Sequence, residues 1–235
     1  INLFKEVPIV FKGNIMKLGL ILKVKPYYTM VSYRALSNIY ELAMLAEKNK
    51  IEGCFVECGV WRGGCAVIMA QIIRKFRSKR KIWLFDSFKG LPEPTPNDGR
   101  RAKELVGDNR MKGRLNSVGI CTASRLDVIH LFSALKLYTD NTIIVEGWFQ
   151  ETLPKLKNKI GHIAILRLDC DWYESIKCCL ENLYHNVICG GYIVIDDYGY
   201  WQGCKEATDE FLRKEGLNNT ILKQVDSSCF YFQKP

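Results

Sequence analysis

Short apolar runs and helical stretches alternate along the chain from residue 54 onward. Most of the apolar runs are continuous, which is typical of strands that are buried on both faces of a parallel sheet. They predict strands at residues 54–60, 81–87, 142–148, 162–169 and 190–197, and two closing strands at about 220–226 and 228–234. The stretches between them predict helices at about 64–77, 122–136, 150–157, 173–185 and 203–215.

This alternation predicts an α/β fold with a seven-stranded, mostly parallel sheet and helices on both faces. Almost no chain separates the last two strands, whereas a parallel crossover needs about a dozen residues or more. The final pair must therefore be antiparallel. With 235 residues, of which 48% are hydrophobic, the chain can bury the core of one sizeable domain.

Two segments fall outside the alternation. Residues 1–50 contain an amphipathic stretch at about 32–49 and predict an N-terminal helical cap or entry segment, which leaves residues 51–235 as the main domain. Residues 88–121 are rich in proline, glycine, asparagine and charge. So long an irregular stretch predicts either a functional lid or a disordered loop, and we expect a lid.

The ten cysteines do not form a metal or disulfide pattern. There is no CxxC pair, and Cys178 and Cys179 are neighbours on a predicted helix, so their side chains diverge. Five others lie within or beside apolar elements, where a free thiol acts as a small hydrophobe: Cys54, Cys58, Cys65, Cys170 and Cys189. We therefore expect buried, reduced thiols and a cytoplasmic protein.

No apolar run approaches the roughly 20 residues needed to cross a bilayer, so we expect no membrane span. The chain begins at Ile1 and not at a methionine, which leaves open an upstream segment, including a removed signal peptide.

The net charge of +9 raises the question of an anionic partner. The densest basic cluster, RKFRSKRK at 74–81, follows a predicted helix. Its cations complement the dipole at a helix C-terminus, and this interpretation is favoured over a nucleic-acid surface. An RNA substrate stays open as the less favoured alternative.

The unusual polar and glycine residues sort to one edge of the predicted sheet, because they follow the carboxyl ends of the strands. This is where ligands bind in open α/β sheets. These residues are Glu57, Gly59, Gly63 and Gly64 after the first strand, Asp86 and Ser87 after the second, Glu146, Gly147, Trp148 and Phe149 after the third, Asp169 and Asp171 after the fourth, and Asp196 and Asp197 after the fifth.

The four aspartates at the last two strand ends predict a cation site. Each could also cap the helix that follows it, and the glycines could serve only helix–strand packing. Four neighbouring carboxylates repel one another, however, and a cation would relieve that repulsion. Oxygen ligands favour Mg²⁺ or another divalent cation such as Mn²⁺.

The glycine-rich stretch ECGVWRGG lacks the GxGxxG spacing of nicotinamide-binding proteins and has no evident anchor for a pyrophosphate. An acid at Glu57 would instead face an ammonium or a ribose. S-adenosylmethionine carries an amino-acid head, a ribose and an adenine but no phosphate, and it fits this stretch better.

Several motifs in order resemble the macrocin O-methyltransferase (TylF-type) family. They are PYYTMVSYRAL, FVECGVWRGG, LFDSFKGLPEP, VEGWFQETLP, LRLDCDWYES and GGYIVIDDYGYWQGCKEATDEF, and they cover the chain from about residue 26 to its end. The resemblance implies a Rossmann-like class I methyltransferase fold with an antiparallel C-terminal strand. It also implies metal-dependent transfer of a methyl group from S-adenosylmethionine to a sugar hydroxyl, on an antibiotic deoxysugar or a surface glycan.

The resemblance also implies roles for individual residues. Thr29 and Met30 would close over the donor, and its methionine end would contact Glu57, Gly59, Trp61, Arg62, Gly63 and Gly64. Asp86 and Ser87 would hold the ribose, and Gly147, Trp148 and Phe149 would flank the adenine. Asp169, at the junction of both sites, would bind metal together with Asp196 and Asp197, as in catechol-type methyltransferases.

The general base is the least defined of these roles. Asp169 and Asp171 are the candidates, because the three histidines lie outside the motifs. Asp171 could alternatively orient a ligand or contact the acceptor. Two closing-strand residues depart from the family, Phe232 in place of tryptophan and Cys229 in place of glycine, so the acceptor is undefined.

Two further hypotheses stay open at this stage. One is an inactive protein that only binds the donor, although no expected ligand residue is lost. The other is a homodimer, for which the N-terminal segment and the lid offer places for a subunit contact.

Overall fold

The structure is a computed structural model in which residues 15–235 are described. The part of the predicted cap segment at residues 1–14 lies outside the described residues. The strands are β1 (Cys54–Cys58), β2 (Ile82–Asp86), β3 (Thr142–Glu146), β4 (Ile163–Leu168), β5 (Val187–Ile195), β6 (Lys223–Gln224) and β7 (Phe230–Gln233). The α-helices are α1 (Ile15–Val24), α2 (Tyr33–Lys48), α3 (Gly64–Lys75), α4 (Gly99–Val106), α5 (Arg125–Ala134), α6 (Phe149–Ile160), α7 (Tyr173–Leu183) and α8 (Gln202–Lys214).

The seven strands form one sheet in the order β3-β2-β1-β4-β5-β7-β6, which confirms the predicted fold. Strands β1 to β5 pair in parallel, and β7 pairs antiparallel with both β5 and β6. Strand order reverses between β1 and β4, so the carboxyl ends of these two strands flank the crevice where ligands bind in such sheets.

The core consists of one apolar layer on each face of the sheet. Helices α1, α2, α3 and α5 cover one face, and α6, α7 and α8 cover the other. Strands β1 and β4 are buried along their whole length, because each lies in the middle of the sheet between these layers. This agrees with the continuous apolar runs in the sequence.

Several element bounds differ from the predicted ones for local reasons. Helix α5 begins at Arg125 because Ser124 caps it and forms a capping box with Asp127. Strand β6 contains only two residues, since a turn at 217–220 precedes it and the tight connection to β7 follows it, in which Val225 N donates to Cys229 O. Cys189 is exposed, so the expectation of a buried thiol was wrong at that position.

The segment at 88–121 is folded against the carboxyl ends of the parallel strands. It contains α4 and pairs with itself at Pro92 and Ser117. Asp98 is buried there and accepts a hydrogen bond from Tyr173 N at 2.6 Å, which ties the segment to the start of α7. Its action as a lid stays a prediction.

None of the helices in residues 15–235 is long and apolar enough to cross a membrane. All ten cysteines are free thiols.

Candidate active site

A cavity of about 600 Å³ opens at the carboxyl edge of the sheet. The predicted site residues that line it are Thr29, Met30, Glu57, Gly59, Trp61, Gly64, Asp86, Ser87, Gly147, Trp148, Phe149, Asp169, Asp171, Asp196 and Asp197. Arg62 and Gly63 do not line it. Arg62 stacks on the ring of Trp61, with its guanidinium carbon 4.8 Å from the ring centroid, and Gly63 is the N-cap of α3.

The ends of β1 and β4 approach each other closely at Gly59. Its φ is +88°, and a Cβ built there would lie 1.7 Å from the backbone oxygen of Asp169. Asp169 N also donates to Cys58 O at 2.8 Å. Only glycine accommodates both the backbone conformation and the contact. Gly59 therefore sets the distance between the glycine-rich loop and the first acid of the fourth strand.

Asp86 organises the loop after β1. One of its carboxylate oxygens accepts hydrogen bonds from Val60 N at 2.7 Å and Trp61 N at 2.8 Å, and the other accepts from Phe88 N at 2.7 Å. Burial raises the pKa of Asp86, and these backbone bonds partly offset the rise. Ser87 Oγ donates to Gly90 O at 3.1 Å. In this structure both side chains therefore shape the loops around the cavity.

Residues 28–32 pack across the glycine-rich loop. Gly64 N donates to Tyr28 O at 2.9 Å, and a Cβ at Gly64 would come within 2.6 Å of that oxygen. On the far side, the hydroxyl of Ser32 donates to the carboxylate of Asp226 in the β6–β7 hairpin. Ser228 Oγ in turn donates to Asp196 O at 2.8 Å. This segment and the hairpin therefore close two sides of the cavity.

The third strand contributes the aromatic end of the cavity. Gly147 N donates to Asp86 O at 2.9 Å, which fixes the turn that leads into α6. Trp148 and Phe149 follow directly and line the wall. The predicted adenine-binding turn thus lies beside the loop that Asp86 organises.

One buried arginine joins three acids at the centre of the site. Arg167 Nη1 lies 2.8 Å from Glu57 Oε1 and 2.9 Å from Asp169 Oδ2. Its Nη2 lies 2.8 Å from Asp196 Oδ1. Sequence reasoning missed Arg167, although a single cation inside the apolar run IAILRL is itself a signal, since a buried charge needs partners.

A second group of acids lies beside this arginine. Oxygens of Asp169, Asp171 and Asp197 lie within 4.8 Å of one another. The predicted metal set contained Asp196 in place of Asp171, whereas here Asp196 is turned toward Arg167. Asp169 and Asp197 belong to both sets.

Two buried carboxylate oxygens have no hydrogen-bond partner among the described residues, Glu57 Oε2 and Asp197 Oδ2. Burial raises the pKa of Glu57 to about 8 and that of both Asp171 and Asp196 to about 7, and it raises the pKa of Asp197 well above its usual range. Acids in this state favour a bound cation, because a cation would stabilise the charged forms that burial disfavours.

Asp171 has a left-handed backbone, with φ of +58°. Its Oδ1 accepts a hydrogen bond from the indole Nε1 of Trp201 at 2.8 Å. Trp201 packs edge-on against Trp172, with ring centroids 4.8 Å apart. A non-glycine residue in this conformation at a strand end often marks a functional position. Trp201 was not predicted, and its indole fixes the direction of one carboxylate oxygen.

Together, the fold and this cavity define a Rossmann-like methyltransferase of class I. The structure is similar to the O-methyltransferase NovP, with a TM-score of 0.76 and 32% identity over 88% of this chain and 82% of that one. The calicheamicin methyltransferase CalS11 shares the fold, with a TM-score of 0.64 and 20% identity over 97% of this chain and 89% of that one.

The chain belongs to the macrocin O-methyltransferase (TylF) family, which it matches over residues 24–234. It is 35% identical to the demethyldecarbamoylnovobiocin O-methyltransferase of Streptomyces niveus over 88% of this chain and 76% of that protein. It is 28% identical to the mycinamicin III 3''-O-methyltransferase of Micromonospora griseorubida over 88% of this chain and 78% of that protein. The protein is an S-adenosylmethionine-dependent O-methyltransferase.

Proposed function

We propose that this protein transfers a methyl group from S-adenosylmethionine to a hydroxyl group of a sugar, with the help of a divalent cation such as Mg²⁺ or Mn²⁺. The sugar is proposed to be part of a natural product, as the names of the relatives from Streptomyces niveus and Micromonospora griseorubida indicate for those proteins. The observation that carries the metal dependence is the buried Oδ2 of Asp197, which has no hydrogen-bond partner in residues 15–235 and lies inside a group of three carboxylates.

The carboxylate ligands available at this site fit a hard divalent cation. Carboxylate oxygens are the preferred protein ligands of Mg²⁺. Asp169 and Asp197 would hold the ion, and the third carboxylate would come from Asp171 or from Asp196, whose Oδ1 contacts Arg167. The second oxygen of Asp196 has no hydrogen bond to the described residues, so it is free to serve.

On the donor side, Glu57 is the residue with unused capacity. Its Oε1 is taken by Arg167, and its buried Oε2 has no partner among residues 15–235. The ammonium group of S-adenosylmethionine is a suitable partner, because it would pair a buried anion. The remaining contacts proposed for the donor are with residues 28–30, the glycine-rich loop, Asp86, Ser87 and the turn at 147–149.

When bound, the cation would supply Lewis-acid stabilisation of a sugar alkoxide, and the donor would supply the methyl group. Asp171 would accept the hydroxyl proton at Oδ2, since its Oδ1 accepts the indole N–H of Trp201. Asp169 is the second candidate for this role. Trp201 and the left-handed backbone of Asp171 would hold the base in one direction, and the folded segment at 88–121 would cover the acceptor side.

The proposal is tested with purified protein treated with EDTA and then dialysed. Methyl transfer to a panel of glycosylated antibiotics is followed by mass spectrometry, before and after Mg²⁺ is restored. We expect transfer only with the metal. Donor binding by calorimetry is measured in parallel on the wild type and on Asp197→Ala, which should still bind the donor. Full activity in EDTA would remove the metal from the proposal and leave the methyltransferase assignment intact.

A further inference from the structure

Arg167 is surrounded by more carboxyl groups than it can pair. Five carboxylates lie around it: Glu57, Asp169 and Asp196, and also Asp171 and Asp197, whose oxygens lie within 4.8 Å of those of Asp169. Three of them contact it directly, at N–O distances of 2.8 to 2.9 Å. Its side chain is 2% exposed, so solvent contributes little to screening.

The three contacts divide between two different functions. Glu57, at the end of β1, belongs to the proposed donor site, whereas Asp169 and Asp196 follow β4 and β5 and belong to the proposed metal site. The two sites thus share a single counter-ion. The guanidinium is rigid and planar, so its N–H groups have fixed relative directions.

Each contact uses only one oxygen of the carboxylate. Arg167 takes Oε1 of Glu57, Oδ2 of Asp169 and Oδ1 of Asp196. In the described part of the chain no hydrogen bond reaches the second oxygen of any of the three. The arginine therefore fixes each carboxylate by one oxygen and leaves the other available to a ligand.

We propose that Arg167 is a positioning residue that orients the donor-side acid and two metal-side acids at once, so that the affinities for donor and metal both depend on its planar fork of N–H groups. This inference rests on the proposed function. It differs from a purely structural role, in which Arg167 would only supply a positive charge to offset the acids.

Arg167→Lys separates the two roles, because lysine keeps the charge but cannot hold three carboxylates in fixed directions. We expect donor affinity, measured by calorimetry with S-adenosylmethionine, to fall about tenfold or more. We expect Mn²⁺ affinity, measured by electron paramagnetic resonance, to fall about 10- to 100-fold, as is usual when a residue that orients metal ligands is changed.

Arg80→Lys is the matched control. The side chain of Arg80 is also largely covered, at 8% exposed, with its Nε 2.9 Å from Glu47 Oε1, but it does not line the active-site cavity. We expect it to lower the melting temperature and to leave both affinities unchanged. Equal affinities in Arg167→Lys and wild type, or a loss confined to only one of the two ligands, would overturn the inference.

A double-mutant cycle tests the shared counter-ion by a second route, and its single variant Glu57→Gln serves alone if Arg167→Lys does not fold: a shift in Mn²⁺ affinity then supports the inference, and no shift contradicts it. Glu57→Gln removes the donor-side partner without touching a metal-side acid. If Arg167 transmits that change, the effects of Glu57→Gln and Arg167→Lys on Mn²⁺ affinity are not additive. Additive effects would contradict the inference. If wild type binds neither Mn²⁺ nor the donor, the proposed function fails as well.

Discussion

Two arginines lie at opposite ends of the central strands, with side chains 8% exposed in Arg80 and 2% exposed in Arg167, and their surroundings differ. At the amino ends of β1 and β2, Arg80 contacts one acid, Glu47, and the backbone oxygens of Ile51 and Gly53. At the carboxyl edge, Arg167 contacts three acids, and two further carboxylates lie beside them. Arg80 and its one acid therefore balance each other, whereas Arg167 has more carboxylates around it than it can pair.

This difference separates an arrangement that stabilises the fold from one that serves a ligand. A buried charge is tolerated when it is paired and hydrogen-bonded, as Arg80 is. Buried oxygens left without partners, such as those of Glu57 and Asp197, reduce stability unless a ligand binds them. Excess charge of this kind at a cavity is typical of a functional site.

The largest expected effect is on catalysis at the carboxyl edge. Asp197→Asn should lower kcat/KM by about 1,000-fold, since charge stabilisation by a metal contributes several kcal/mol. The same variant should melt at the wild-type temperature or above it, because asparagine removes a carboxylate whose charged form is disfavoured by burial and by the neighbouring acids. Activity assays and calorimetric scans measure both quantities. A substantial loss of stability would mean that these carboxylates are already paired and balanced in charge without a bound ligand.

The opposite result is expected at the amino edge. Glu47→Gln should lower the free energy of unfolding by about 3 kcal/mol, because it leaves Arg80 buried without its carboxylate. Urea titration measures this loss, and calorimetry should show unchanged donor affinity. A change in donor affinity at constant stability would contradict the comparison.

The sequence predicted the sheet and most of this site because both depend on local patterns. Continuous apolar runs identify buried strands, and the acids directly after them identify the edge where strands end. The assignment of Asp196 to the metal stays a prediction, and the direction of its side chain depends on Arg167, which lies on β4, whereas Asp196 follows β5. Contacts of this kind follow from pairing between strands, which periodicity does not report. The role of Trp201 depends in the same way on its packing against Trp172.

A smaller effect is expected where the two central strands meet. Gly59→Ala would place a Cβ 1.7 Å from Asp169 O, so the loop or the strand end must move. Gly161→Ala is the control, since Gly161 also has a positive φ, +74°, but nothing lies within 4 Å of its built Cβ. Each of the two substitutions should lower the free energy of unfolding by about 1 kcal/mol, because alanine is strained at a positive φ.

We expect Gly59→Ala to destabilise the protein by about 2 kcal/mol more than Gly161→Ala, and to weaken Mn²⁺ binding through the displaced Asp169. Urea titration measures the difference in stability, and electron paramagnetic resonance measures the Mn²⁺ affinity. Equal stabilities in the two variants would show that the strand ends can move apart and admit a Cβ at position 59 without cost.

The smallest expected effect concerns the direction of the proposed base. Trp201→Phe removes the indole N–H that binds Asp171 Oδ1 but keeps an aromatic ring against Trp172. We expect kcat to fall about tenfold, with donor affinity unchanged, because a hydrogen bond to a charged group contributes roughly 1.5–3 kcal/mol. Trp83→Phe is the control, since the buried indole N–H of Trp83 has no partner among the described residues and lies outside the cavity.

Trp83→Phe should therefore leave kcat unchanged and cost little or no stability, because it removes a buried donor that makes no hydrogen bond. A fall in kcat for Trp201→Phe alone would assign the effect to the bond with Asp171. Equal falls in both variants would point instead to loosened packing, and Asp169 would then be the better candidate for the base. The pair of variants thus tests whether the indole N–H of Trp201 fixes the direction of Asp171, which Arg167 does not contact and which is the one acid of the group of three that accepts an indole hydrogen bond.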